Sequence, residues 1–243
     1  MGTPIEVGWT DEVAAPPAAV WDAVTRHSDG WLWPISYEPR VGGAESGLTP
    51  DGGTVTVWEP HHRFATAGET PDGPNEIAYV LTPTAAGTRV EYRHRGHVPT
   101  AEHEVQHEAC VVHTDLYRHS MLAYATHFAG SDATYVEVDG GEASAVPGST
   151  DRLLAALGLA DAAVGDTVTL AVPDAEPVTG VVDYRQGTFL GIRSARGLHR
   201  IYGRDRWGWP VSVAHHLFAP ADGAAVEAAW GGFVAGVYER ETA

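Results

Sequence analysis

His103, Glu104 and His107 spell H-E-x-x-H inside "HEVQHEACVVH", and His113 falls where the longer zinc pattern places a third ligand. That set would be the chemistry of a metallopeptidase: two imidazoles on a cation and a carboxylate to take a proton from metal-bound water. The surrounding helix argues against it. At about 100° per residue, Val105, Ala109, Val112, Leu116 and Ala123 gather near 200° from His103, as a buried stripe does. His103 and His107, at zero and about 40°, lie opposite that stripe, with Glu104 at about 100°. Cys110 occupies the place where glycine would let the chain leave the helix, and helical periodicity runs on through "VVHTDLYRHSMLAYATHF". His113 then lies about 120° around the axis from His107 and about 9 Å further along, too far for one ion. The only methionines are Met1 and Met121, so a Met-turn is missing as well. No metal and no catalytic residue is assigned from this motif, and a histidine-bearing solvated face is expected instead.

The elements that would hold other chemistry can be read from patterning. Ile5, Val7, Trp9 and Val13 share one face of an extended segment, and Pro16-Pro17 open a short helix in "PPAAVWDAVTRH". "GTVTVWEP", "HHRFATAG", "NEIAYVLTP" and "GTRVEYRHRGHV" alternate between turn residues, as half-buried antiparallel strands do. A long helix follows from about Ala101 to Phe128, with Gly130 as its stop. A second series begins near Asp132. "ATYVEVDGG" is a strand, and "VPGSTDRLLAALGL" leads into a helix capped by Ser149 or Thr150. Then "DTVTLAV", "TGVVDYR", "TFLGIRS", "LHRIYG" and "VSVAHHLF" are strands, and "DGAAVEAAWGGFVAGVYERE" is a closing helix. Both halves run strand, short helix, antiparallel strands, long helix, which suggests a diverged internal duplication with domains 1–130 and 131–243.

Composition narrows the function. The net charge of −17 over 243 residues repels phosphate backbones and anionic lipid, so neither nucleic acid nor a membrane surface is an expected partner. All 15 Lys+Arg residues are Arg, which with the Ala and Gly richness points to a GC-rich, bacterial genome. No apolar run reaches membrane-spanning length, and the N-terminus has no signal-peptide pattern, so the cytoplasm is the expected location. The one cysteine, Cys110, forms no intrachain disulfide and reads as a small packed side chain.

"VAAPPAAVWDAVT" (13–25), "YEPRVGG" (37–43), "GTVTVWEPHHRFA" (53–65), "LTPTAAGTRVEYRHRG" (81–96) and "LAYATHFAG" (122–130) occur in an order that resembles the SRPBCC, or START-like, helix-grip superfamily. Within it, the likeness is to the family related to activators of the 90-kDa heat-shock protein ATPase. The resemblance implies an α+β fold: a curved antiparallel sheet wrapped on a long C-terminal helix, with a cavity between. It carries over no catalytic residue and no cofactor. The second half is similar to a shortened helix-grip unit, a smaller α+β unit of the same order and less able to close a cavity of its own.

If the first half grips its helix, alternation turns Trp9, Val55, Val57, Ile77, Tyr79, Val90, Tyr92 and His94 inward. Val112, Leu116 and Ser120 look back, and His113 and Tyr117 border the stripe. The cavity candidates are thus Trp9, Val57, Tyr79, Tyr92, His94, His113, Leu116 and Tyr117, with Trp31 and Trp33 at the rim as a lid or a packed aromatic corner. In the second half, Arg204, Arg206, Trp207 and Trp209 form an Arg–Trp cluster of the kind that anchors protein partners, or a salt-bridge and packing corner. His215 and His216 point to opposite faces of one strand, so at most one of them is expected to be buried. Three functions are compatible: non-enzymatic binding of a small hydrophobic or aromatic molecule, which we favour; a chaperone-ATPase partner module; and a polyketide cyclase or aromatase-like enzyme using His94 or His113 as general acid or base.

Overall fold

The structure is a computed structural model and describes residues 2–239. The chain divides into two compact units after Asp132. The first contains β1 (Thr3–Val13), α1 (Pro17–Thr25), β2 (Ser36–Tyr37), β3 (Ala44–Ser46), β4 (Gly53–Glu59), β5 (Arg63–Thr70), β6 (Gly73–Pro83), β7 (Thr88–Val98) and α2 (His103–His127). Its antiparallel sheet runs β1-β7-β6-β5-β4-β3-β2. The first strand closes on the last, and the others fold back as a meander.

The second unit contains β8 (Thr134–Asp139), α3 (Ser149–Ala156), β9 (Thr167–Leu170), β10 (Val178–Gln186), β11 (Phe189–Ser194), β12 (Gly197–Tyr202), β13 (Ser212–Leu217) and α4 (Gly223–Glu239). Its sheet runs β8-β13-β12-β11-β10-β9. The order is that of the first sheet with one strand fewer. The chain is α+β in both units, each with a long last helix packed against its first strand.

Local sequence explains the helix ends. Pro16 is extended and Pro17 starts α1, where the missing N–H has no helical partner to lose. α2 is continuous through His113, and the chain turns away at Gly130, whose φ of 78° is left-handed. Arg118 of α2 bridges Asp115 and Asp11 of β1, at 2.7 Å each, and fixes the helix on the sheet edge.

Three expectations need correction. Val105 is 41 % exposed rather than part of the buried stripe, because it lies in the first turn of α2, before the helix closes on the sheet at Ala109. Neither Ser149 nor Thr150 caps α3. Gly148 holds the cap position, and the carboxylate of Asp205, far along the chain, accepts the Gly148 N–H at 2.8 Å and the Thr150 hydroxyl. Finally, His215 and His216 are both buried, at 1 % and 0 % exposure. All six residues of β12 and the first five of β13 are buried, so neither face of these strands is wet and alternation cannot separate the two rings. No helix among the described residues is long and apolar enough to cross a membrane.

Candidate functional site

In the first unit, strand register sets a line of aromatics across the inward face. Trp9, Tyr92, Tyr79, Phe64 and Trp58 are successive cross-strand partners on β1, β7, β6, β5 and β4. Trp9 stacks on Tyr92 at 5.6 Å, Tyr92 meets Tyr79 at 4.9 Å, and Phe64 meets Trp58 edge-on at 5.7 Å. Burial pushes the Tyr79 and Tyr92 phenols well above their ordinary pKa, so both stay neutral. Val57 does not face in as simple alternation predicts. A bulge between Val55 and Val57 pairs Val57 with Ala65, on the alternate face, and hands the inward place to Trp58. Trp58 and Phe64 were not among the candidates, although both stand in strands read correctly from the sequence.

Leu116 is fully buried. Trp31 is buried and its Nε1 donates to the Ala23 carbonyl at 2.9 Å, a packed corner. Trp33 donates to the Gly47 carbonyl at 2.7 Å and meets Tyr117 edge-on at 5.7 Å. His94 is held from both sides: Nε2 lies 2.7 Å from Asn75 Oδ1, and Nδ1 lies 3.5 Å from Cys110 Sγ. A Cβ at Gly96 would stand 3.0 Å from that Asn75 oxygen and crowd the contact. Burial lowers the His94 pKa and raises that of the Cys110 thiol, which keeps both neutral. His113 Nδ1 donates to the carbonyl of Ala109 in its own helix, at 2.7 Å. His103 and His107 are half-buried and stack on each other, ring planes 3° apart at 6.0 Å. Among the described residues, no group of three or more His, Cys, Asp or Glu side chains is placed to hold a metal ion.

The second unit holds a cavity of about 550 Å³ between its sheet and the start of α4. The shortened sheet therefore borders a half-open cavity. The sequence cause is the small residues at that end: Ala219, Ala221 and Ala225 border the space, whereas further along α4 Val234 and Tyr238 are buried in the core. Leu170, Val172, Val178, Leu217, Val226 and Trp230 supply apolar wall. Trp230 lies 4.4 Å from the ring of His215.

His215 and His199 are direct cross-strand partners on β13 and β12, and both line the cavity. Their Nδ1 atoms are 2.8 Å apart. His199 Nε2 is 3.3 Å from Ser194 Oγ. Burial, and secondly the Arg200 charge, push the His199 pKa down to about 4. Burial, and then the neighbouring His199 and His216, hold His215 well below the ordinary histidine range. Both rings are neutral near pH 7. Neither His199 nor Ser194 was a candidate. The one available signal was His199 in "LHRIYG" beside His215 in "VSVAHHLF", adjacent strands whose register only the fold supplies.

The alternate face of β12 carries Arg200, at 0 % exposure, which forks onto Asp183 with contacts of 2.9 and 3.2 Å. A Cβ at Gly191 would stand 2.6 Å from Arg200 Nη1, so the pair requires glycine. In the Arg–Trp cluster, Arg204 binds Ser212 at 2.7 Å and lies over Tyr202, Arg206 lies 4.3 Å over Trp207, and Trp207 meets Trp209 at 5.5 Å. Asp205, between the arginines, is buried as the α3 cap.

Residues 14–118 match the family model described as activator of Hsp90 ATPase homolog 1-like protein. The first unit resembles that family. The matched span ends within α2 and includes none of the second unit. Among solved structures, the chain is similar to a protein of Mesorhizobium loti, with 20 % identity, 49 % of this chain and 95 % of that chain covered, and a TM-score of 0.41. It is similar to CalU16 of Micromonospora echinospora at 18 % identity, covering 50 % and 73 % of the two chains with a TM-score of 0.40. A protein of Rhodobacter sphaeroides shares 25 % identity over 49 % and 91 % of the two chains, at a TM-score of 0.36. No curated protein matches the chain.

Proposed function

We propose that the protein binds a small, largely apolar molecule between the sheet and last helix of the second unit, and does not transform it. The observation that carries this reading is the 550 Å³ cavity, within the size range of small-molecule sites, with apolar walls and a buried polar pair at one side. The first unit supports the non-enzymatic part. Both ring nitrogens of His94 are engaged by neighbours, and His113 Nδ1 is tied to its own helix, which suits packing better than proton transfer. Native mass spectrometry of protein purified from its own host tests the proposal. A retained small molecule is expected, and it is lost when Val226→Trp fills the cavity. Protein without a ligand, or a ligand retained at full occupancy by the Val226→Trp variant, contradicts it.

The match of residues 14–118 favours a second reading, in which the first unit is a chaperone-ATPase partner module. Binding of the whole chain to the host's 90-kDa heat-shock ATPase would support it, and no binding at micromolar concentrations would remove it.

A further inference from the structure

Only one placement of protons makes all four contacts in the hydrogen-bond chain behind the cavity; the opposite tautomers would give up the Ser194–Gly197 contact. In that placement the Ser194 hydroxyl donates to the Gly197 carbonyl, 3.3 Å away, which can only accept. The same oxygen accepts the Arg196 backbone N–H at 3.2 Å. Its remaining neighbour, His199 Nε2, must then donate. A neutral His199 with its proton on Nε2 presents a bare Nδ1, so His215 donates across the 2.8 Å contact from its own Nδ1. A neutral His215 with its proton on Nδ1 has a bare Nε2. That atom is buried, has no hydrogen-bond partner, and belongs to a residue lining the cavity.

From this arrangement we infer that the site selects ligands bearing a neutral hydrogen-bond donor, a phenol, alcohol or ring N–H, which His215 Nε2 accepts. The inference rests on the proposed ligand site and adds the chemistry of the ligand's polar end. An ether or ketone of the same shape would set lone pair against lone pair and leave a buried acceptor unsatisfied. A carboxylate is disfavoured twice over. It brings no donor, and three carboxylates (Asp174, Glu176, Asp222) line the cavity against the one guanidinium of Arg196. The polar end should be seated beside Trp230, and the apolar body along Leu170, Val178 and Val226.

Two measurements on the full chain test this. Isothermal titration at pH 7.5 with 2-naphthol, 2-methoxynaphthalene and 2-naphthoate should rank them in that order, with naphthol at least about tenfold tighter than the ether, the usual cost of one unmade buried hydrogen bond. In His215→Phe, naphthol and ether should converge to within about threefold. Ether binding as tight as naphthol, or naphthoate binding tightest, overturns the donor rule while leaving the cavity as a ligand site. If none of the three binds, the ligand site itself falls and the donor rule with it. Independently of any ligand, side-chain ¹⁵N–¹H correlation should find His215 protonated at Nδ1 and bare at Nε2. The reverse tautomer overturns the inference without touching the cavity.

Discussion

The two units thread their sheets in the same order, yet fill them differently. The first lays five aromatic rings from Trp9 to Trp58 across its inward face, beneath a 25-residue helix. Among the described residues the second has no such line. Its corresponding face carries the His199–His215 pair and a cavity, under a 17-residue helix that begins with small residues. Topology thus places an inward face but does not decide what fills it. A few positions decide that: the rings on the last two strands of each sheet, and the volume of the helix that covers them.

The largest effect expected from this contrast is in the second unit. Arg200→Ala removes the guanidinium that forks onto the largely buried Asp183 carboxylate, and should cost about 3–5 kcal/mol in urea unfolding. Replacing both partners by apolar residues should recover most of that loss. A cost near zero for the single variant would mean that water reaches the pair. In the first unit, Phe64→Ala cuts the aromatic line between Tyr79 and Trp58 and should cost about 3–4 kcal/mol by the same assay.

Acid should separate the contents of the two faces next. His199 and His215 are neutral when folded and take up protons near pH 6.5 when unfolded, so the unfolded chain binds more protons below that pH. Stability contributed by the pair is complete above about pH 6.5 and falls as the pH drops towards 4, where His199 itself titrates in the folded state. Between pH 6.5 and 5 the two rings together should remove about 2–4 kcal/mol. The His199→Leu/His215→Leu double variant should flatten that part of the profile. An unchanged slope would show that the rings are not buried neutral.

The smallest effect concerns register. Val55→Thr places a hydroxyl on the inward face and should cost about 2 kcal/mol, whereas Val57→Thr should cost less than about 1 kcal/mol. Equal costs would argue that the bulge is absent.

Much of the scaffold was legible because it depends on local pattern. Proline at the start of α1, apolar periodicity through α2 and two-residue alternation in β7 each act within a few residues. What stayed hidden depends on pairing across the chain. A bulge adds one residue without any turn signal, so Val57 and Trp58 could not be told apart by counting. Asp205 caps a helix 55 residues earlier in sequence, which no local motif announces. The His199–His215 contact needs the register of β12 on β13, and burial on both faces of those strands removes the alternation that would have revealed it. His94 was legible as a buried polar ring in need of a partner, but Asn75 and Cys110 as its partners were not.

What matters most is which of the two inward faces receives a ligand. Titrating 2-naphthol into isotopically labelled full-length protein, and following side-chain NMR signals of both units, tests this most directly. Shifts centred on His215, Trp230 and Val226, with Trp9, Tyr79, Tyr92 and His94 unmoved, are the predicted result. Shifts centred on the aromatic line of the first unit, with the His215 signals unmoved, would contradict it.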